Sequence, residues 1–230
     1  MTEKAPPKPE RTEDSRKPRS DGEQSRERLL LSAIRLFGEQ GYAKTSTREI
    51  ALSAGTNVAA ISYYFGDKAG LYRSCFKHQS NNPQQAIAAL AQPDLPLREA
   101  LHIFFGKVVF YMHQGDLTQL RVRLWLRELL EPTGLWQNEI QRGIKPVHLA
   151  LVDMVSRHVG ISPPNDDMHR LAFAIVGMGW KAMATRDVVE SIRPQLLATP
   201  QAVERWAASL VDYAEAIIAV EKNRLQRKTA

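Results

Sequence analysis

The 230-residue sequence predicts an all-α protein of about nine or ten helices. Three observations support this. Apolar residues recur at spacings of three and four along most of the chain. No stretch of useful length alternates apolar and polar residues as a strand would. Proline, glycine and capping residues fall at the ends of the periodic stretches.

The first periodic stretch is RERLLLSAIRLFGEQGY, with Leu30, Ala33, Ile34 and Phe37 on one face and Gly41-Tyr42 at its exit. Residues 1–23 before it are rich in Pro, Lys, Arg, Glu and Ser, lack periodicity and are expected to be a disordered, solvated tail. Ser46 and Glu49 then form an S-x-x-E capping box, which starts a short helix with Ile50 and Ala51 inward and Thr47 and Arg48 outward. Gly55 ends that helix, because a left-handed exit residue is cheapest as glycine. Asn57 caps the next one, Val58 to Tyr64, which turns Ile61 and Phe65 inward and Val58, Ala59, Ser62 and Tyr63 outward. Asp67 caps a third helix with Lys68 in its first turn. A cation there opposes the helix dipole and makes sense beside a bound phosphate.

Helix, glycine turn, helix and the start of another make Thr45 to Tyr72 a helix-turn-helix unit, and the partner it implies is double-stranded DNA. Charge agrees: the chain carries +6 with a pI near 9.5. Between Lys44 and Lys77 five basic residues (Lys44, Arg48, Lys68, Arg73, Lys77) face two acidic ones, Glu49 and Asp67.

From about Arg26 to Tyr72 the chain resembles the N-terminal domain of TetR-family transcriptional repressors. RERLLLSAIRLFGEQGY matches the first helix, TSTREIALSAG the second, NVAAISYYF the recognition helix and DKAGLY the start of the fourth. The wording AAISYYFGDKAGLYRSCF, followed later by LRELLEPTGLW, is similar to the CecR-like branch, some members of which are linked to drug-efflux genes. The resemblance implies a helix-turn-helix DNA-binding domain (24–72) and a helical ligand-binding and dimerisation domain (73–224), with residues 225–230 as a tail. It also implies a homodimer on a palindromic operator, repression, and release by a small-molecule effector. Carried over by position, Arg48 resembles the base-contacting residue of the second helix. Val58, Ala59 and Ser62 take the base-edge positions, and Ser46, Thr47, Tyr63, Tyr64 and Lys68 the phosphate contacts, with Asn57 beside them. Ser62 and Tyr64 depart from the tyrosine and histidine many members have there. Small Ala59, Ala60 and Ser62 suit close approach to the groove floor and contact with thymine methyls. That leaves Arg48 as the side chain suited to bidentate guanine recognition.

Beyond Tyr72 the fourth helix is expected to reach about Ser80, where Asn81-Asn82-Pro83 ends or kinks it. Pro93 and Pro96 bracket a break. Amphipathic helices follow over Leu97–Gly115 and Leu117–Glu131, and a third from Pro146 to about Val159. Asp166-Asp167 favours the start of the next helix. Met168–Ala184, rich in Ala and Gly, is the first candidate for a dimer face, with Ala174, Gly177 and Met178. Ala202–Val220 is the second, with Trp206, Leu210, Tyr213 and Ile217. An operator with two-fold symmetry needs such a dimer, with recognition helices about 34 Å apart.

An effector pocket, implied by the family resemblance, is assigned to the middle of the chain. Phe104, Phe105, Val108, Met112, Trp125, Trp136, Met154 and Trp180 are the apolar candidates, and Arg123, Arg127, Glu128 and His148 the orienting ones. Such a lining suits an apolar or amphipathic compound. Taken singly, the aromatics read as core, and Arg123, Arg127 and Glu131 as a solvated ladder.

The enzyme class is disfavoured. None of the six histidines has another within metal-ligand spacing, and no phosphate-binding loop, nucleophile elbow or dinucleotide fingerprint is present, so no cofactor or metal is expected. The single cysteine, Cys75, excludes an intramolecular disulfide and reads as a small buried apolar residue. No apolar run is long enough for a membrane helix and the N-terminus is polar, so a cytoplasmic location beside the DNA is expected.

Overall fold

The computed structural model describes residues 21–76, 83–113 and 116–229, and these residues contain helices and no strand. In order they are α1 (Asp21–Gln40), α2 (Thr47–Ser53), α3 (Val58–Phe65), α4 (Lys68–Phe76), α5 (Pro83–Leu90), α6 (Leu97–His113), α7 (Asp116–Leu130), α8 (Gln137–Glu139), α9 (Lys145–Val159), α10 (Asp166–Ala184), α11 (Arg186–Ile192) and α12 (Pro200–Thr229). A π-helical turn, Ile140–Ile144, leads into α9, and a 3₁₀ turn, Pro194–Leu196, precedes α12. Helices α5, α8 and α11 have no counterpart in the sequence reading, since eight, three and seven residues are too short to show a period. The expected end of the fourth helix at 77–82 and the residues 114–115 lie outside the described residues. No helix among those described is long and apolar enough to cross a membrane.

Two apolar cores form. The first is the DNA-binding unit: Leu29, Leu30, Ala33, Ile34 and Phe37 of α1 close over Ile50, Ala51, Ile61, Leu71, Tyr72, Cys75 and Phe76. It does not stop where the domain boundary was drawn. Position 72/73 falls inside α4, and the same core takes in Leu124 of α7 and Trp136. Cys75 is buried, its thiol donates to the Leu71 carbonyl at 3.3 Å, and burial pushes its pKa up, so no reactive thiolate forms near neutrality.

The second core lies between α6, α9, α10 and α12, around Leu101, Phe105, Leu151, Met154, Met168, Ile175, Val211 and Ile218. Asn165 caps α10, its Oδ1 accepting from the N–H of Asp167 and Met168. Arg98 of α6 holds Asp212 at 2.7 Å and also Glu215, both on α12. Helix α12 runs on to Thr229, through residues placed in a tail, and Arg224 reaches Asp167 at 3.0 Å. At the other end Asp21, Gly22 and Glu23 are already part of α1.

The cores are joined through α7. Gly38 of α1 lies so close that a Cβ there would stand 2.9 Å from the Leu120 carbonyl oxygen. Arg127 donates from Nε to the Gly38 carbonyl (2.9 Å) and from Nη2 to that of Glu39 (2.6 Å), satisfying carbonyls left free at the end of α1. It therefore caps the C-terminal end of α1. The neighbouring Glu128 is 1% exposed. Its Oε2 accepts from the Tyr72 hydroxyl of α4 at 2.7 Å, and its Oε1 from the backbone and hydroxyl of Thr133 at 2.9 Å each. Burial, then the bond to Glu128, raise the Tyr72 phenol above its ordinary pKa.

Replacing Tyr72 by Phe leaves the buried Glu128 carboxyl short of a donor. The expected cost is about 1–3 kcal/mol in urea unfolding. Combined with Glu128→Gln, the loss should be smaller than the sum of the two single changes.

Candidate nucleic-acid interface

The two short helices of the DNA-binding unit are fixed by side chain to backbone bonds. The Ser46–Glu49 capping box forms: Ser46 Oγ accepts from the Glu49 N–H at 3.1 Å, and Glu49 Oε2 from the Ser46 N–H at 3.5 Å. Gln40 at the end of α1 donates to the same Glu49 carboxyl at 2.7 Å, which fixes α2 against α1. The buried Thr45 hydroxyl donates back to the Gly41 carbonyl at 2.8 Å. Gly55 takes φ +62° at the turn, and Asn57 Oδ1 accepts from the Ala60 N–H at 2.9 Å to start α3.

With Ile61 buried on one side, α3 turns Val58, Ala59, Ser62 and Tyr63 outward; Val58 is 40% and Tyr63 82% exposed. Arg48 and Ser46 are also exposed, and Thr47 is half-buried. The Ser46 hydroxyl accepts within its cap and retains its own proton to donate to a phosphate oxygen. Tyr64 is half-buried against the first core, with the Tyr63 ring edge-on at 4.8 Å, so it supports Tyr63. Lys68 does not project freely: its ammonium lies 4.4 Å from the centroid of the Tyr42 ring, and burial lowers its pKa.

Gly70 is a part of this interface that sequence reasoning missed. A Cβ there would sit 1.9 Å from the Phe65 carbonyl oxygen, so α4 can abut the end of α3 only with glycine at this point. Glycine inside the helical run DKAGLY is the signal that marks it. Asp67 Oδ1 accepts from the Gly70 N–H at 2.6 Å and completes the junction. Arg26, whose guanidinium lies over the Phe65 ring at 5.1 Å, holds the start of α1 to the same corner.

The residues grouped as an effector pocket separate into several places. Phe105 and Met112 are buried in the second core, with Phe104 packed on it; the side chain of Val108 lies outside the described residues. Arg123 is exposed and stands 3.7 Å from Asp187. His148 faces His169 (Nε2 to Nδ1, 3.1 Å) and stacks on Phe173 at 4.2 Å; burial, then His169, lower its pKa. Trp125, Trp136 and Trp180 do come together, around Trp125.

The dimer candidates also divide. Leu210 is 5% exposed and belongs to the subunit's own core. Met178, Trp206 and Ile217 pack partly against that core. Ala174, Gly177 and Tyr213 are exposed, as are Phe173 and Val220.

A capped α2, a tight turn and an α3 with an open outer face define a helix-turn-helix protein. Family comparisons agree. Residues 29–75 match the model of the bacterial regulatory proteins of the tetR family, and residues 97–220 match that of the C-terminal domain of the HTH-type transcriptional dual regulator CecR. The CecR protein of Shigella flexneri is 32% identical over 68% of this chain and 74% of its own length. A probable HTH-type regulator of Bacillus subtilis, YttP, is 51% identical over 20% of this chain and 23% of its own. The chain thus belongs to the TetR family of transcriptional regulators, in the CecR branch.

Solved structures share the fold. Native NalD, the secondary repressor of the MexAB-OprM multidrug efflux pump in Pseudomonas aeruginosa, superposes with a TM-score of 0.59 at 20% identity, over 85% of this chain and 97% of its own. SmeT in complex with triclosan superposes with a TM-score of 0.60 at 16% identity, over 84% of this chain and 90% of its own.

Gly70→Ala is expected to force α3 and α4 apart. The overlap is with backbone, so a stability loss of about 3 kcal/mol or more is expected, read by chemical unfolding. DNA affinity should fall with it.

Proposed function

We propose that the protein binds a palindromic operator as a homodimer, represses the adjacent genes, and leaves the DNA when a small apolar or amphipathic effector binds. The carrying observation is the joint exposure of Arg48 on α2 and of Val58, Ala59, Ser62 and Tyr63 on α3, two rigidly capped helices. Val58, Ala59 and Ser62 are short enough to let α3 sit deep in the major groove, with methyl contacts to thymine. Arg48 is the bidentate reader of guanine. Ser46, Thr47, Asn57, Tyr63, Tyr64 and Lys68 hold phosphates and set the register. For Lys68, the Tyr42 ring beneath the ammonium fixes the charge in place.

The dimer face in this reading is the exposed side of α10 and α12, with Phe173 at 65%, Tyr213 at 58% and Val220 at 66% exposure around Ala174 and Gly177. Large apolar side chains left exposed on two long helices suit an interaction surface, and Gly177 meets nothing within 4 Å of a Cβ position. Effector control and a role at efflux genes draw on the relatives: NalD is described as an efflux-pump repressor, and SmeT was solved with triclosan.

Selection of bound sequences from random duplexes tests the recognition assignment. The wild type should return a two-fold symmetric site. Arg48→Ala should relax one position in each half-site, whereas Lys68→Ala should weaken all sequences alike and lower the salt slope by about one. Sites without symmetry, or variants that match the wild type, would overturn the assignment.

Sedimentation should show a dimer at micromolar concentration. Phe173→Glu with Tyr213→Glu should give monomers whose DNA affinity is at least about tenfold lower. A wild type that stays monomeric both free and on DNA sinks the dimer.

A further inference from the structure

Three tryptophans from distant parts of the chain meet beside Phe76 of α4. Trp125 of α7 is at the centre, with Trp136 nearly perpendicular at 5.1 Å, Trp180 of α10 at 5.9 Å and Phe76, the last described residue of α4, at 5.8 Å between ring centroids. Phe76 and Trp136 are themselves 6.2 Å apart.

Two features separate this group from ordinary core. Trp125 and Trp180 are only half-buried, so their rings keep accessible faces. Trp136 is 8% exposed, yet its buried indole Nε1 has no hydrogen-bond partner. A buried indole N–H ordinarily finds an acceptor, and one left among aromatic rings is a costly donor. The missing component is thus an acceptor small enough to enter between aromatic walls.

We propose that Phe76, Trp125, Trp136 and Trp180 form the effector seat, and that the effector is a planar aromatic compound bearing a hydrogen-bond acceptor, such as an aromatic carboxylate. Its ring stacks on the tryptophans and its acceptor takes the Trp136 Nε1 proton. This rests on the reading of the protein as an effector-controlled regulator. The seat also supplies a route to the DNA. Phe76 is the last described residue of α4, and the start of α4 abuts α3 at Gly70 with no room to spare. A ring lodged against Phe76 displaces α4, and α3 must follow.

Isothermal titration of the full chain with 2-naphthoate, and separately with tetraphenylphosphonium, tests the seat. Naphthoate should bind once per chain and the phosphonium ion should not. Trp136→Phe keeps the ring and removes the donor, and should weaken naphthoate about tenfold. Trp180→Ala, a half-exposed position, should weaken it at least as much. Trp206→Phe, in the other core, should leave it unchanged. Absence of naphthoate binding to the wild type, preference for the phosphonium ion, or unchanged affinity in both Trp136→Phe and Trp180→Ala would overturn the proposal. The last is the outcome expected if the indole N–H is already satisfied by the Trp125 ring face. DNA binding measured on the same samples separates the two readings. Sequence-specific binding without a naphthoate site overturns the seat alone, and loss of specific DNA binding overturns the regulator.

Discussion

The buried bond between Tyr72 and Glu128 is the constraint on which the arrangement of this protein depends. A carboxyl group with 1% exposure is tolerated only when its oxygens are used, and Tyr72 and Thr133 use both of them. The bond ties α4, which carries the recognition unit, to α7, which belongs to the rest of the molecule. Arg127, the adjacent residue, points about 100° away around the same helix and grips the carbonyl end of α1. Consecutive residues of α7 therefore hold both long supports of the DNA-binding unit. A shift of α7 has to be transmitted or has to break these polar bonds, of which the one between Tyr72 and Glu128 is buried from water.

This explains why the first core does not end with the helix-turn-helix. Leu124 and Trp136 complete it from outside, and Gly38 lets α1 lie almost in backbone contact with α7. The recognition helix is short and buries only Ile61 fully. Its orientation is imposed by caps, by the Gly70 contact and by the packing of α1 and α4. Such an element reads DNA only as well as its supports are fixed, and it can be redirected by moving them.

The sequence disclosed those parts of the site whose chemistry is local. Ser46, Glu49, Gly55 and Asn57 act on residues two to four positions away, so their spacing already contains their function, and the geometry forms as read. The outward set Val58, Ala59, Ser62 and Tyr63 follows from helical period once Ile61 is placed inward, and outward Arg48 once Ile50 and Ala51 are. The proposed pocket residues carried no such information. Arg127, Met112 and Phe105 all suit a ligand site by composition, yet Arg127 caps α1 while Met112 and Phe105 lie in the second core. Leu210 and Tyr213 lie three apart on α12, and only the packing of α12 against α6 decides that the first is buried and the second exposed.

The sequence by itself determined the helical class, the capped recognition unit and the family, because these reside in contacts between near neighbours and in a continuous motif. Tertiary structure alone decided that residues 56 positions apart share a buried hydrogen bond. It alone gathered tryptophans from α7, the following loop and α10 around one point, and left Phe173, Tyr213 and Val220 on an uncovered face. The reason is physical. A cap is fixed by the few backbone dihedrals between its partners, whereas long-range contacts depend on how whole helices pack, which no short window of sequence encodes.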